Sequence, residues 1–187
     1  MTPALPVTFE VAVAVAEEGG VPVRDDAWID AQLAQANLLF EAAGVRFRWT
    51  RRRPLPPALT RAETREDRDA FGATMEAHAV NVSVIASLAD VDEPGRFRMG
   101  VCWQNRADHE KRYILVSSIA RPSVLAHELG HFFGNPHSSV TDNVMSYDRT
   151  GAPVFFDAAQ LARIHARAAS ALAAGTLLEA PPAKMWP

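Results

Sequence analysis

The 187-residue sequence has one cysteine, Cys102, so no intrachain disulfide can brace the fold. Cys102 sits in an apolar, strand-like stretch and reads as a small buried residue rather than a nucleophile. Lysine is almost missing: Lys111 and Lys184 are the only two, and arginine carries nearly all the positive charge. With abundant alanine and proline, this usage points to a GC-rich bacterial source and says nothing of function. No apolar run is long enough to span a membrane. The opening residues lack a positive leader, and Glu10 interrupts their apolar run, so no cleaved signal is read there. The expectation is a cytoplasmic protein, with export by a route that needs no cleaved signal still compatible. A formal net charge of −3 gives no bulk basic character for nucleic acid or a membrane surface.

What is present suffices for a sizeable core, since 48% of residues are hydrophobic. The length suits one domain, with room for two lobes. Alternation in Val7, Phe9, Val11, Val13 and Val15 predicts a strand with one buried face. A helix follows from Asp25 or Asp26 to Gly44, with Ile29, Leu33, Ala36 and Phe40 as its apolar stripe. Residues 45–50 alternate again. The proline-broken 51–59 stretch reads as a solvated loop despite its three arginines. A charged surface helix is expected over 60–77, with Thr60 and Glu63 at capping-box spacing. Strands are expected at 80–88, 97–104 and 112–118, the last two around a turn near Asp108. A helix at 121–134 places Pro122 early and Gly134 at its end. A final helix spans 156–175, with Asp157 and Gln160 as reciprocal caps and Phe156 and Leu161 as a staple. The order predicts an α+β fold in which helices pack on a mixed sheet.

The chemistry concentrates in VLAHELGHFFGNPHSS, residues 124–139. On a helix, residues four apart share a face, so His127 and His131 can hold one ion through their imidazoles. Glu128 lies beside the first ligand and reaches a water near the ion rather than the ion itself. Gly134 permits a sharp exit that returns His137 as a third ligand. Three protein ligands and an open position describe a catalytic zinc site. H-E-x-x-H alone recurs in ordinary helices, but the longer pattern arises by chance in fewer than about one in ten thousand chains of this length. His78, His109 and His165 are isolated and read as surface or satisfied histidines. Asp90, Asp92 and Glu93 read as a solvated acidic turn; calcium there is a weaker reading, because the loop lacks an EF-hand pattern.

Met145 follows His137 by eight residues, in DNVMSY. H-E-x-x-H-x-x-G-x-x-H followed by a methionine turn resembles the metzincin zinc endopeptidases. Ser138 and the short loop to Met145 are similar to the matrixin branch. Tyr147 is instead similar to astacin-like, serralysin-like and pappalysin-like members, so the resemblance is to the clan. It implies a single catalytic domain over 1–187. The upper lobe, to about 134, would be a twisted mixed sheet with two main helices, one of them binding zinc. The lower lobe, about 135–187, would hold the methionine turn and a C-terminal helix. It further implies one catalytic Zn²⁺ on His127, His131 and His137, with Glu128 as general base and Tyr147 as a catalytic hydrogen-bond donor. Met145 would be a packed thioether beneath the ligands. Strand 98–104 would pair with an extended peptide or protein substrate. Residues 148–156 would wall the pocket for the residue after the scissile bond. No pro-segment cysteine is recognisable, which leaves control to narrow specificity or a separate inhibitor. Two other functions stay open: a zinc-fold module that binds peptide without cutting, and a metal-dependent hydrolase of a non-peptide substrate.

Overall fold

The computed structural model describes residues 6–181; the readings of the extreme N-terminus and of the tail from 182 onward lie outside the described residues. In chain order the main elements are β1 (Val7–Val15), α1 (Asp26–Phe40), β2 (Val45–Arg48), β3 (Arg52–Pro54), α2 (Arg65–Ala70), β4 (Val80–Ile85), β5 (Gly100–Gln104), β6 (Arg112–Ser117), α3 (Val124–Phe132) and α4 (Ala158–Ala173). The sheet order is β2-β1-β4-β6-β5, with β3 also pairing β1. All pairings in it are parallel except β5 with β6, so a single antiparallel strand forms one edge.

Alternation in β1 predicts one buried face, yet both faces of its second half are buried. The reason is its place inside a parallel sheet, where covering elements lie on either side. Val11, Val13 and Val15 join the core under α1 and α3, while Ala14 and Ala16 pack with Leu55, Phe71, Ile85, Leu88 and Tyr113 on the opposite face. Five phenylalanines, Phe9, Phe40, Phe47, Phe133 and Phe156, tie the sheet to the helices through neighbouring rings. Each buried ring contributes roughly 1.5–3 kcal/mol by area.

Several boundaries move. The helix expected from Thr60 is a six-residue α2 capped by Thr64, whose hydroxyl accepts from the Asp67 amide at 3.0 Å. Asp67 accepts in return from the Thr64 amide at 2.9 Å. Thr60 is occupied otherwise: its carbonyl accepts from the Ala86 amide, and Arg61–Ala62 pairs in parallel with Ser87–Leu88. That pairing also ends β4 at Ile85. The 51–59 stretch gives β3 to the sheet, and Arg52 and Arg53 form ion pairs with Asp26 and Glu76. The expected strand at 97 starts at Gly100, and Phe97 makes an isolated bridge to Ala89. Among the described residues no helix is long and apolar enough to cross a membrane.

α3 lies between α1 and the β5–β6 hairpin. Its start has no side-chain cap of its own. Gln32, buried in α1, supplies one: its side-chain oxygen accepts from the Leu125 amide at 3.2 Å, and its amide donates to the Arg121 carbonyl at 2.9 Å. The helix bearing the histidines is therefore fixed at its N-terminus by a neighbour rather than by its own sequence.

Candidate metal centre

The far end of α3 closes as a Schellman motif. The Gly134 amide donates to the His131 carbonyl, and the Asn135 amide to the Gly130 carbonyl, each at 2.9 Å. Gly134 sits at φ +87°, a conformation other residues adopt only under strain. This exit reverses the chain and brings His137 back to the helix face. His131 Nε2 then lies 3.1 Å from His127 Nε2 and 3.0 Å from His137 Nε2. The three are a group whose nitrogens could hold one metal ion.

Two imidazoles are oriented from behind. His127 Nδ1 meets the Val144 carbonyl at 2.7 Å, and His131 Nδ1 meets the Asn135 carbonyl at 2.8 Å. A backbone carbonyl accepts from Nδ1–H, which fixes the proton on that nitrogen and leaves Nε2 bare as an electron-pair donor to a cation. Burial lowers the pKa of all three rings, that of His127 to about 4. They are therefore neutral near pH 7, the form that ligates metal. With no thiolate in the group, this donor set fits zinc.

The turn beneath α3 runs Asn143–Ser146, closed by the Ser146 amide on the Asn143 carbonyl at 2.9 Å. Met145 is fully buried. A Cβ built on Gly130 would lie 2.4 Å from Met145 Sδ, so glycine at the fourth position of the H-E-x-x-H run is what lets the turn close under the histidines. Asn143, also fully buried, fixes the turn to α4 through two side-chain amide hydrogen bonds with Gln160, at 2.8 and 3.0 Å. Gln160 is at the same time the return partner of the Asp157 cap. Sequence reading identifies Gln160 as a cap only, and finds neither Asn143 nor Gly130; the D-N-V-M run places Asn143 two residues before Met145, which is the only local signal.

Glu128 is buried beside the triad, and burial pushes its pKa up to about 8 against the Cys102 backbone amide and the charges of Arg98 and Arg68. Gly100 of β5 touches it: a Cβ there would meet Glu128 Cγ and Oε1 at 2.9 Å. Tyr147 is 71% exposed, with its hydroxyl 2.8 Å from His137 Nε2. Burial raises its pKa, opposed by Arg98. The other sequence candidates lie elsewhere. His78 meets the Gly175 carbonyl, His165 meets the Ala43 carbonyl, and His109 lies in the β5–β6 turn region. The Cys102 thiol is pushed up to about 12 by burial and by Glu128, which makes it a poor nucleophile. Asp90, Asp92 and Glu93 are ion-paired with Arg98, Arg65 and Arg96.

No protein-family model matches the chain, and no curated protein sequence does. Solved structures do. Mirolysin of Tannerella forsythia, in complex with a cleaved peptide, superposes with a TM-score of 0.64 at 13% identity, over 93% of this chain and 99% of that one. The fold is metzincin-like. Archaemetzincin from Methanopyrus kandleri gives a TM-score of 0.57 at 16% identity, covering 86% and 96% of the two chains. Metalloproteinase-II from Bacteroides fragilis gives 0.62 at 16% identity over 89% of this chain; the match spans 55% of that protein's length. The α+β architecture expected from the sequence, with helices on a twisted mixed sheet, is the one found.

Proposed function

We propose that the protein is a zinc-dependent endopeptidase that hydrolyses an extended peptide or protein. The observation that carries the reading is the convergence of three Nε2 atoms next to a buried carboxylate, at the open edge of the sheet. His127, His131 and His137 would hold the ion. Bound Zn²⁺ supplies Lewis acidity and lowers the pKa of water from near 16 toward about 7.

The remaining work falls to the chain's own groups. The Glu128 carboxylate takes a proton from the attacking water and passes it to the leaving amine, so that water adds across the C–N bond and releases an acid and an amine. The Tyr147 hydroxyl would donate to the developing oxyanion. β5, with one side unpaired in the sheet, offers backbone donors and acceptors to an extended chain, and Gly100 lets that strand approach Glu128. The matrixin-like Ser138 and the astacin- or pappalysin-like Tyr147 belong to the same reading.

The test pairs metal analysis with cleavage of an unbiased peptide library, for the parent and for Glu128→Ala. Both should bind one zinc and only the parent should cut. Cleavage retained in Glu128→Ala removes the mechanism. Zinc bound with intact peptide released by both proteins leaves a peptide-binding module, and absence of metal in both removes the reading at its root.

A further inference from the structure

Beside the histidines lies a cavity of about 660 Å³, a volume usual for ligand sites. His127 and Glu128 line it, Val124 and Val154 give it apolar wall, and four arginines line it too: Arg96, Arg98, Arg121 and Arg149. Two of these are already matched. Arg98 lies 3.0 Å from Asp90, and Arg96 is paired with Glu93. Among the described residues Arg121 and Arg149 enter no ion pair. The lining thus carries four arginines against Asp90, Glu93 and the buried Glu128, with Arg121 and Arg149 the two that no carboxylate pairs.

Arg149 is also held in place. Its terminal nitrogens donate to the carbonyls of Asn143 at 2.7 Å, Val144 at 3.0 Å and Asp148 at 3.2 Å. Val144 is the carbonyl that orients His127, so the guanidinium is built into the frame of the centre. A guanidinium has five N–H donors. These three contacts leave Nε and one terminal hydrogen, and no hydrogen bond among the described residues uses Nε. An immobilised cation with unused donors in the lining of a cavity matches a carboxylate better than any neutral group.

We infer that this cavity takes a carboxylate. Resting on the peptidase reading for its place next to the cleaved bond, the inference assigns an acidic preference to the residue that follows that bond, with Arg149 and Arg121 as the specificity-determining residues. The carboxylate can come from an Asp or Glu side chain or from the free C-terminus of a short peptide.

The experiment uses the full zinc-loaded chain and peptides differing only at that residue: Glu, Gln, Leu and Lys. A second pair, ending just past the bond, differs in carrying a free carboxylate or an amide. Cleavage by the parent and binding to Glu128→Ala are both measured. Glu should exceed Gln by about tenfold or more in kcat/KM and in affinity. A preference of that size in the second pair alone assigns the pocket to a chain terminus. Arg149→Met should bring the Glu-to-Gln ratio near one, with partial return in Arg149→Lys. Because Arg149 also supports the turn, Arg121→Glu serves as the variant with an exposed side chain. It should reduce the Glu preference and favour Lys. Equal handling of Glu and Gln, together with equal handling of the carboxylate and amide pair, overturns the inference, as does a parent that prefers Leu or Lys. If carboxylate peptides bind preferentially and nothing is cut, the peptidase reading fails while the pocket assignment stands.

Discussion

A methyl group at Gly130 would fall 2.4 Å from Met145 Sδ. In an unobstructed helix, Gly→Ala gains up to about 1 kcal/mol. Here overpacking costs about 1–3 kcal/mol, so the net sign is destabilising. Gly130→Ala should therefore lower the urea midpoint, whereas Met145→Leu, close to it in volume, should cost less than about 1.5 kcal/mol. An unchanged midpoint in Gly130→Ala would mean that the turn moves freely away from α3. Tyr147 is the opposite case, since its side chain is exposed. Tyr147→Phe should leave the melting temperature unmoved and lower kcat on the order of tenfold or more through loss of one oxyanion donor. A kcat equal to the parent's would assign the hydroxyl to His137 alone. The ligand set was legible because helical spacing and one glycine exit are local facts. Gly130, Gly100 and Asn143 were not, because each answers to a segment far away in sequence that crosses it closely.

The strand lining the site is held by a helix of one and a half turns. Asp69 of α2 accepts from Trp103 Nε1 at 2.8 Å and from Arg106 Nε at 2.7 Å, fastening the end of β5 and the turn beyond it. Burial tends to raise the Asp69 pKa, but these hydrogen bonds and the Arg106 charge outweigh it and hold the carboxyl below the usual range. A folded-state pKa below the unfolded one stabilises the fold above the unfolded value, near 4, and the gain is lost as pH falls through the folded value. Unfolding followed from pH 6 to 2 should show Asp69→Asn less stable than the parent at the top of this range and converging on it at the bottom. A constant gap across the range would assign the loss to packing instead. On α1, Gln32→Leu should cost about 1–3 kcal/mol by leaving the Leu125 amide and Arg121 carbonyl unsatisfied in the interior. Neither anchor shows in the sequence, where the helix is expected from Thr60 rather than Arg65 and nothing local marks Gln32 as the partner of a helix that begins some ninety residues later. The α4 cap was readable because Asp157 and Gln160 satisfy each other within one turn.

Across the whole molecule, the three histidines come from α3 and from the loop just after it, while the groups that orient and support them extend to α4. A cation that binds only the assembled arrangement stabilises the fold by mass action, about 4 kcal/mol at a thousandfold excess over Kd. For a chain of this size that is a rise in melting temperature of roughly 10 °C. Removing metal with a chelator and restoring zinc should move the transition down and back by that amount, and an unmoved transition would separate the metal from the fold. The position of β1 has a consequence of another kind. β1, the first of the described strands, lies inside the sheet with neighbours on both sides, and one of them, β4, is made some sixty-five residues later. Until then the side of VTFEVAVAV that β4 pairs, in a strand rich in β-branched residues and carrying one charge, stays open. Biogenesis thus has a vulnerable interval in which nascent or refolding chains compete to pair with one another. Refolding yield should fall as protein concentration rises, and Val13→Lys should relieve the losses only by forfeiting the native state.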